Sequence, residues 1–155
     1  YCADPYFMDV DPQVLNLKSN IPYFSFPFSL PLELGKEGTV INIDNSLYCT
    51  TPLYITIKGA SVNPVLTNET TGEYISLAKT LTADEKIVIN TAFGSKSIIK
   101  IDEDGTENNA FHYILPGSTL FSLAAGKINK LSYTAESKDD ESEAIVEFYY
   151  RYSGV

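Results

Sequence analysis

The sequence has no tryptophan, one histidine and two cysteines, and each shortage removes a class of chemistry. A hydrolytic triad needs a base, most often histidine, held on a serine or cysteine nucleophile. His112, in "NNAFHYIL", is the sole candidate, and no G-x-S-x-G elbow accompanies it. It reads as a packed or surface histidine. "LPGSTL" lacks the second glycine of such an elbow, and "FGSKS" lacks the glycine spacing of a phosphate loop. With a single histidine and no CxxC pair the chain offers no zinc site, so neither a metal nor another cofactor is expected. Two cysteines are too few for a disulfide framework. A Cys2–Cys49 bridge would need two Cα atoms within bonding reach, which sequence does not establish, and free thiols are the expected state in a protein made in the cytosol.

Positive charge is also scarce. Eleven basic residues stand against twenty acidic ones, for a formal net charge of −9. Lys127, Lys130 and Lys138 are scattered, with Glu136 and Asp139 among them, so no basic patch offsets the balance. Nucleic acid and anionic membranes are therefore disfavoured partners. No apolar run approaches the roughly 20 residues that cross a bilayer. The opening "YCADPYFMDV" carries Asp4, Pro5 and Asp9, which breaks any secretion signal. It also lacks an initiating methionine, as expected of a segment of a larger protein or of a processed one.

What carboxylates there are fall in turn-like runs. Asp102, Glu103 and Asp104, and again Asp139, Asp140 and Glu141, are flanked by polar residues and read as solvated loops more readily than as a glycosidase pair. In "DEDGTEN", Asp102, Asp104 and Glu107 surround Gly105, but the spacing does not match a calcium-binding EF-hand loop. Asn68-Glu69-Thr70 forms a glycosylation sequon, a short pattern that is common by chance. No catalytic residue is assigned, and no enzymatic activity is expected.

The chain is rich in residues that suit a pleated, half-buried surface. Eleven tyrosines and eight phenylalanines accompany many valines, isoleucines and threonines. Residues 1–35 stand apart. Prolines at 22, 27 and 31 exclude a central strand, while Phe24, Phe26, Phe28 and Leu30 alternate with serine or proline, which predicts an extended aromatic arm without full ladder pairing. From residue 38, strands follow in order. "TVINID" sets Ile41 and Ile43 against Asn42 and Asp44; "PLYITIKGAS" sets Leu53, Ile55 and Ile57 against Tyr54, Thr56 and Lys58. "VNPVLTNETTGEYISL" predicts a hairpin turning at Gly72, and "EKIVINTAF" with "KSIIKIDEDGTEN" a second one around Gly94. A Pro116-Gly117 turn follows, then two strands flanking Ala124-Ala125-Gly126, the second with Leu131 and Tyr133 on one face. "AIVEFYYRY" closes the chain, with Ile145, Glu147, Tyr149 and Arg151 opposing Val146, Phe148, Tyr150 and Tyr152. Many short strands at close spacing predict an all-β fold, an antiparallel β-sandwich over residues 36–155 preceded by the arm.

The surplus lies in the aromatics. Tyr149, Tyr150 and Tyr152 cannot all point inward from one strand, and Tyr6 and Phe7 sit in the opening segment. These five are the candidate interaction surface, since exposed aromatics favour protein contacts or sugar stacking. The alternative is that the arm and the final strand simply cover each other.

Several pieces, in order, resemble the siphophage distal tail proteins. They are "CADPYFMD", "TGEYISL", "EKIVINTAF", "DGTENNAFHYILPGSTLFSLAAGKINKLSYTAES" and the terminal "FYYRYSGV". The resemblance runs from Cys2 to Val155. It implies a galectin-like, jelly-roll-like sandwich that follows a ring-forming N-terminal domain, with residues 1–35 as connector and arm. It further implies a structural baseplate component in a phage or prophage virion, assembled in the bacterial cytoplasm. Such a component is a homo-hexamer at full length and joins the tail tube to the tail-associated or receptor-binding proteins of host attachment. No catalytic residues are known for that role. The rival is a lectin-like module that binds host cell-wall carbohydrate, although galectin-type sites use a tryptophan and a polar cluster with histidine, which this chain does not supply.

Overall fold

Strict alternation sets the layers of this fold. Leu53, Ile55 and Ile57 are buried while Tyr54 and Lys58 between and beside them are exposed, because successive side chains on a strand point to opposite faces. The computed structural model describes residues 6–18, 40–138 and 142–153. The strands are β1 (Tyr6–Met8), β2 (Gln13–Lys18), β3 (Val40–Asn45), β4 (Tyr54–Lys58), β5 (Ser61–Val62), β6 (Val65–Asn68), β7 (Glu73–Ser76) and β8 (Thr80–Leu81). They continue as β9 (Lys86–Asn90), β10 (Ser97–Ile101), β11 (Glu107–Asn109), β12 (Lys127–Thr134), β13 (Ser137–Lys138), β14 (Glu143–Phe148) and β15 (Arg151–Ser153), with one 3₁₀ turn at Phe111–Tyr113.

Two sheets make the sandwich. One is six-stranded in the order β11-β10-β9-β4-β14-β2, and the other four-stranded in the order β3-β12-β6-β7. Their ladders are antiparallel throughout. Register aligns apolar residues into rows: Leu15, Val146, Ile55, Ile89 and Ile98 lie side by side across the larger sheet. Tyr133, Leu66 and Ile75 do the same across the smaller one. Apart from the half-buried Leu15, which packs against it, both rows belong to a single hydrophobic cluster, and complete burial of each such side chain contributes about 1.5–3 kcal/mol. The fold is an all-β antiparallel sandwich, as its alternation predicts.

Differences from the sequence reading are confined to places where pairing is long-range. The opening segment contributes two ladder strands: β2 pairs along its whole length with β14, and β1 pairs with β15. The proline-rich arm around Phe24, Phe26 and Phe28, like Cys2 and the acidic run at 139–141, lies outside the described residues. The strand expected before Ala124 is instead a loop held by one isolated bridge, Leu123 with Thr51 in the connection between β3 and β4. The final strand breaks at Tyr149 and Tyr150. The hairpins at Gly72 and Gly94, and the charged turn at Asp102–Gly105, stand where expected. Pro116 and Gly117 form the centre of a turn closed by Ser118 N–H donating to the Leu115 carbonyl at 3.1 Å, and Gly117 has φ of 89°. That is the arrangement in which proline precedes a residue with positive φ.

Candidate interaction surface

Three asparagines that face into the sandwich build one of its ends. Asn129 accepts from Asn68 Nδ2 at 3.0 Å and from the Ala124 amide at 2.8 Å, and it donates to the carbonyls of Ala124 and Lys127. Asn45 donates to the carbonyls of Cys49 and Ala124, each at 3.1 Å. Buried amide groups are stabilised by such partners, and although the Asn45 Oδ1 has none, the bonds made here pin the loops that follow β3 and precede β12. Thr51 and Leu123 exchange backbone hydrogen bonds of 3.1 and 2.7 Å. Lys96 Nζ reaches the Leu120 carbonyl at 3.2 Å, tying the β9–β10 turn to the same place. Asn68 of the sequon is thus a buried structural residue, closed to glycosylation in the folded chain. Cys49, also buried here, carries a free thiol.

On this rigid end the loop tips present apolar side chains to solvent. Phe93 is 98% exposed, Tyr48 97% and Val10 93%, and Phe7 in the adjoining strand β1 is 70% exposed. Phe93 caps the β9–β10 turn, Tyr48 the loop between β3 and β4, and Val10 the turn between β1 and β2. The register places all three turns together, since Asn90 pairs with Tyr54, Glu147 with Tyr54 and Phe148 with Gln13. Isolated exposed apolar residues are ordinary, but a gathering at one end is not. The opposite end is acidic. There Glu103 and Asp104 are exposed, and Lys100 is held between Glu85, at 2.8 Å, and Asp102. Those two carboxylates keep the Lys100 ammonium well above its ordinary range, and the Lys100 hydrogen bond in turn depresses Glu85.

Next to the aromatic tips, the edge of the larger sheet runs on into a two-stranded ribbon. Tyr6, Phe7 and Met8 face Ser153, Tyr152 and Arg151, and the pairing resumes with Gln13 opposite Phe148. Residues 9–12 therefore face 149–150, a bulge that bends the ribbon off the sheet. Asp9 N–H, donating to the Tyr150 carbonyl at 3.2 Å, bridges this interruption.

The five residues singled out from the sequence all lie at this junction, in different roles. Phe7 and Tyr152 form an exposed cross-strand pair. The Arg151 guanidinium lies over the Tyr6 ring at 5.4 Å. Tyr150 turns to the core side: its ring meets Phe148 edge-on at 5.3 Å, and its hydroxyl donates to the Asp44 carbonyl at 2.8 Å. Burial, with Asp44 and Asp9 nearby, pushes its phenol upward in pKa. Desolvation and then Asp9 do the same to Tyr152. Tyr149 points the other way and, with Met8, Asp9, Pro52, Tyr54 and Arg151, lines a cleft of about 140 Å³. Sequence reasoning missed Phe93, Tyr48 and Val10. Their signal was an apolar side chain set inside a turn, as in "TAFGSK" and "DNSLYC", where no neighbouring strand can cover it.

Chemistry-bearing groups do not converge. Among the described residues no three of His, Cys, Asp and Glu gather as metal ligands, and no helix is long and apolar enough to cross a membrane. His112 lies exposed on the 3₁₀ turn, its ring 3.9 Å from that of Tyr113. Asp102 and Asp104, considered for calcium, are engaged locally, by Asn108 Nδ2 at 2.7 Å and by the Thr106 amide at 2.9 Å.

No curated protein matches the chain significantly. The family model for the C-terminal domain of siphovirus-type tail components matches residues 45–152, which spans the sandwich from the end of β3 into β15. That match assigns a structural role in the virion tail, with other tail proteins as the class of partner. The chain belongs to the family of siphovirus-type tail components, of which it carries the C-terminal domain.

Proposed function

We propose that this domain is a passive docking platform of a distal tail protein, holding a baseplate together between the tail tube and the host-adhesion device. The observation that carries the reading is the gathering of Phe93, Tyr48 and Val10 at one stapled end, beside the ribbon that bears Phe7 and Tyr152. Aromatic side chains on rigid supports lose little conformational freedom on binding, which is the property of interface anchors. The partner is another tail protein, of the tail tube or of the tail-associated and receptor-binding class. Affinity arises from shape and apolar burial, with no bond-making step. In the full-length protein, the opening segment leads from a ring-forming domain, which assembles as a homo-hexamer in the host cytoplasm, into this sandwich, with β2 as its edge strand and the rest of residues 1–35 as connector and arm.

Cross-linking and mass spectrometry on intact tails test the proposal. Cross-links from Lys96 and Lys127, which flank the aromatic tips, to another tail protein are expected. Tails in which those lysines link to nothing, while the acidic end links freely, would refute it.

A further inference from the structure

The cleft beside the ribbon has a composition that docking does not use. We infer that it is a binding site for one uncharged pyranose ring, with Tyr54 and Tyr149 as its stacking walls and Asp9 and Arg151 as its hydrogen-bonding groups. Size comes first. At about 140 Å³ the cleft falls well below the roughly 300–1,000 Å³ of drug-sized sites. It is close to the roughly 150 Å³ cavity that holds a benzene ring, and because the cleft opens to solvent a pyranose places one face in it while its remaining hydroxyls stay in water.

Chemistry narrows the occupant. A wholly apolar ring would strip water from a carboxylate and a guanidinium without replacing its hydrogen bonds, which is strongly unfavourable. A simple anion or cation would suit one of the two charged groups and be repelled by the other. A polyol suits both, because each hydroxyl donates to Asp9 and accepts from Arg151 with the same atom. The C–H face of a pyranose then lies on the tyrosine rings, and Met8 and Pro52 complete the apolar lining. The net charge of −9 weighs against polyanionic glycans and for neutral ones.

The walls are also held before any ligand arrives. Tyr54 is fixed in β4 between Glu147 and Asn90. Pro52 follows Thr51, which is bridged to Leu123. Arg151 is paired with Met8 across the ribbon and stacked on Tyr6, and the Asp9 amide is bonded to Tyr150. A preformed site avoids the ordering cost that otherwise erodes weak binding.

The test is a ¹⁵N–¹H titration of this chain with uncharged monosaccharides (glucose, galactose, mannose, rhamnose and N-acetylglucosamine), with glycerol 3-phosphate as an anionic probe. At least one sugar should shift the amides of Asp9, Tyr54 and Arg151 saturably. Tyr149→Ala and Asp9→Asn should each weaken that binding about tenfold or more, and Phe93→Ser should leave it unchanged. If Tyr149→Ala unfolds, Asp9→Asn decides alone. Flat titrations at those amides with every sugar would overturn the inference. So would equal or stronger shifts with glycerol 3-phosphate, or binding that survives Asp9→Asn. The experiment involves no tail protein, so its failure leaves the docking platform standing.

Discussion

Phe7 faces Tyr152 across the ladder that joins β1 to β15, with Phe7 largely in solvent and Tyr152 partly so. A cross-strand aromatic pair contributes about 0.2–1 kcal/mol to a sheet, which is little for so much exposed apolar area. Phe7→Ser and Tyr152→Ser should therefore lower stability by no more than about 1 kcal/mol. The same changes should weaken attachment to the tail partner by about tenfold or more, as expected of interface anchors. Thermal unfolding alongside a binding assay on isolated tails separates the two effects. Loss of stability in step with loss of binding would make the pair a fold element only.

Asn129 makes the opposite prediction. All four of its hydrogen bonds are internal, and two of them satisfy donors, the buried Asn68 side chain and the part-buried Ala124 amide. Asn129→Ala should cost about 2–3 kcal/mol in urea unfolding, since each buried group left unpaired costs about 1–3 kcal/mol. Asn108→Ala, which removes an exposed bond to Asp102, should stay within about 0.5 kcal/mol.

At Gly117 two penalties coincide. Its φ of 89° is unfavourable to any side chain, and an added Cβ would stand 2.6 Å from the Tyr74 hydroxyl. Gly117→Ala should destabilise by about 1–2 kcal/mol, chiefly through the dihedral angle. Combining it with Tyr74→Phe, which withdraws the close oxygen, should recover only the smaller part of that loss. Full recovery by the double variant would show that contact, not backbone geometry, is the cause.

Acid should loosen the acidic end. The hydrogen bond from Lys100 holds the Glu85 carboxyl below its ordinary value of 4.5. A depressed carboxyl contributes stability that is complete above the unfolded value and is lost as pH falls through the folded one. Glu85→Gln should accordingly lower the thermal midpoint at pH 7 and make much less difference at pH 3. An equal difference at both pH values would remove this pair from the acid response.

Local pattern carried most of the fold. Ile55, Ile57, Ile87 and Ile89 are legible because each sits in its own period-2 run, and the row they form across the sheet follows from that phase. β2 was hidden because Leu15 and Leu17 gain their meaning only from Val146 and Ala144, far along the chain. The same distance hid the Thr51–Leu123 bridge and the bond from Tyr150 to Asp44. Of the candidate surface, Phe7 and Tyr152 were visible as unplaced aromatics. Their alignment with each other, and the company of Phe93 and Tyr48, depend on which turns the topology collects at one end.

The ribbon fixes how the domain takes mechanical load. Residues 6 and 153 are partners at its outer tip, so traction that parts them opens the ladder like a zipper, one bond after another. Traction between residue 6 and the acidic end runs along the strands and strains the bonds of β1 and β2 in parallel. A tail under tension along that second direction would find this joint stiff, and under the first would find it weak.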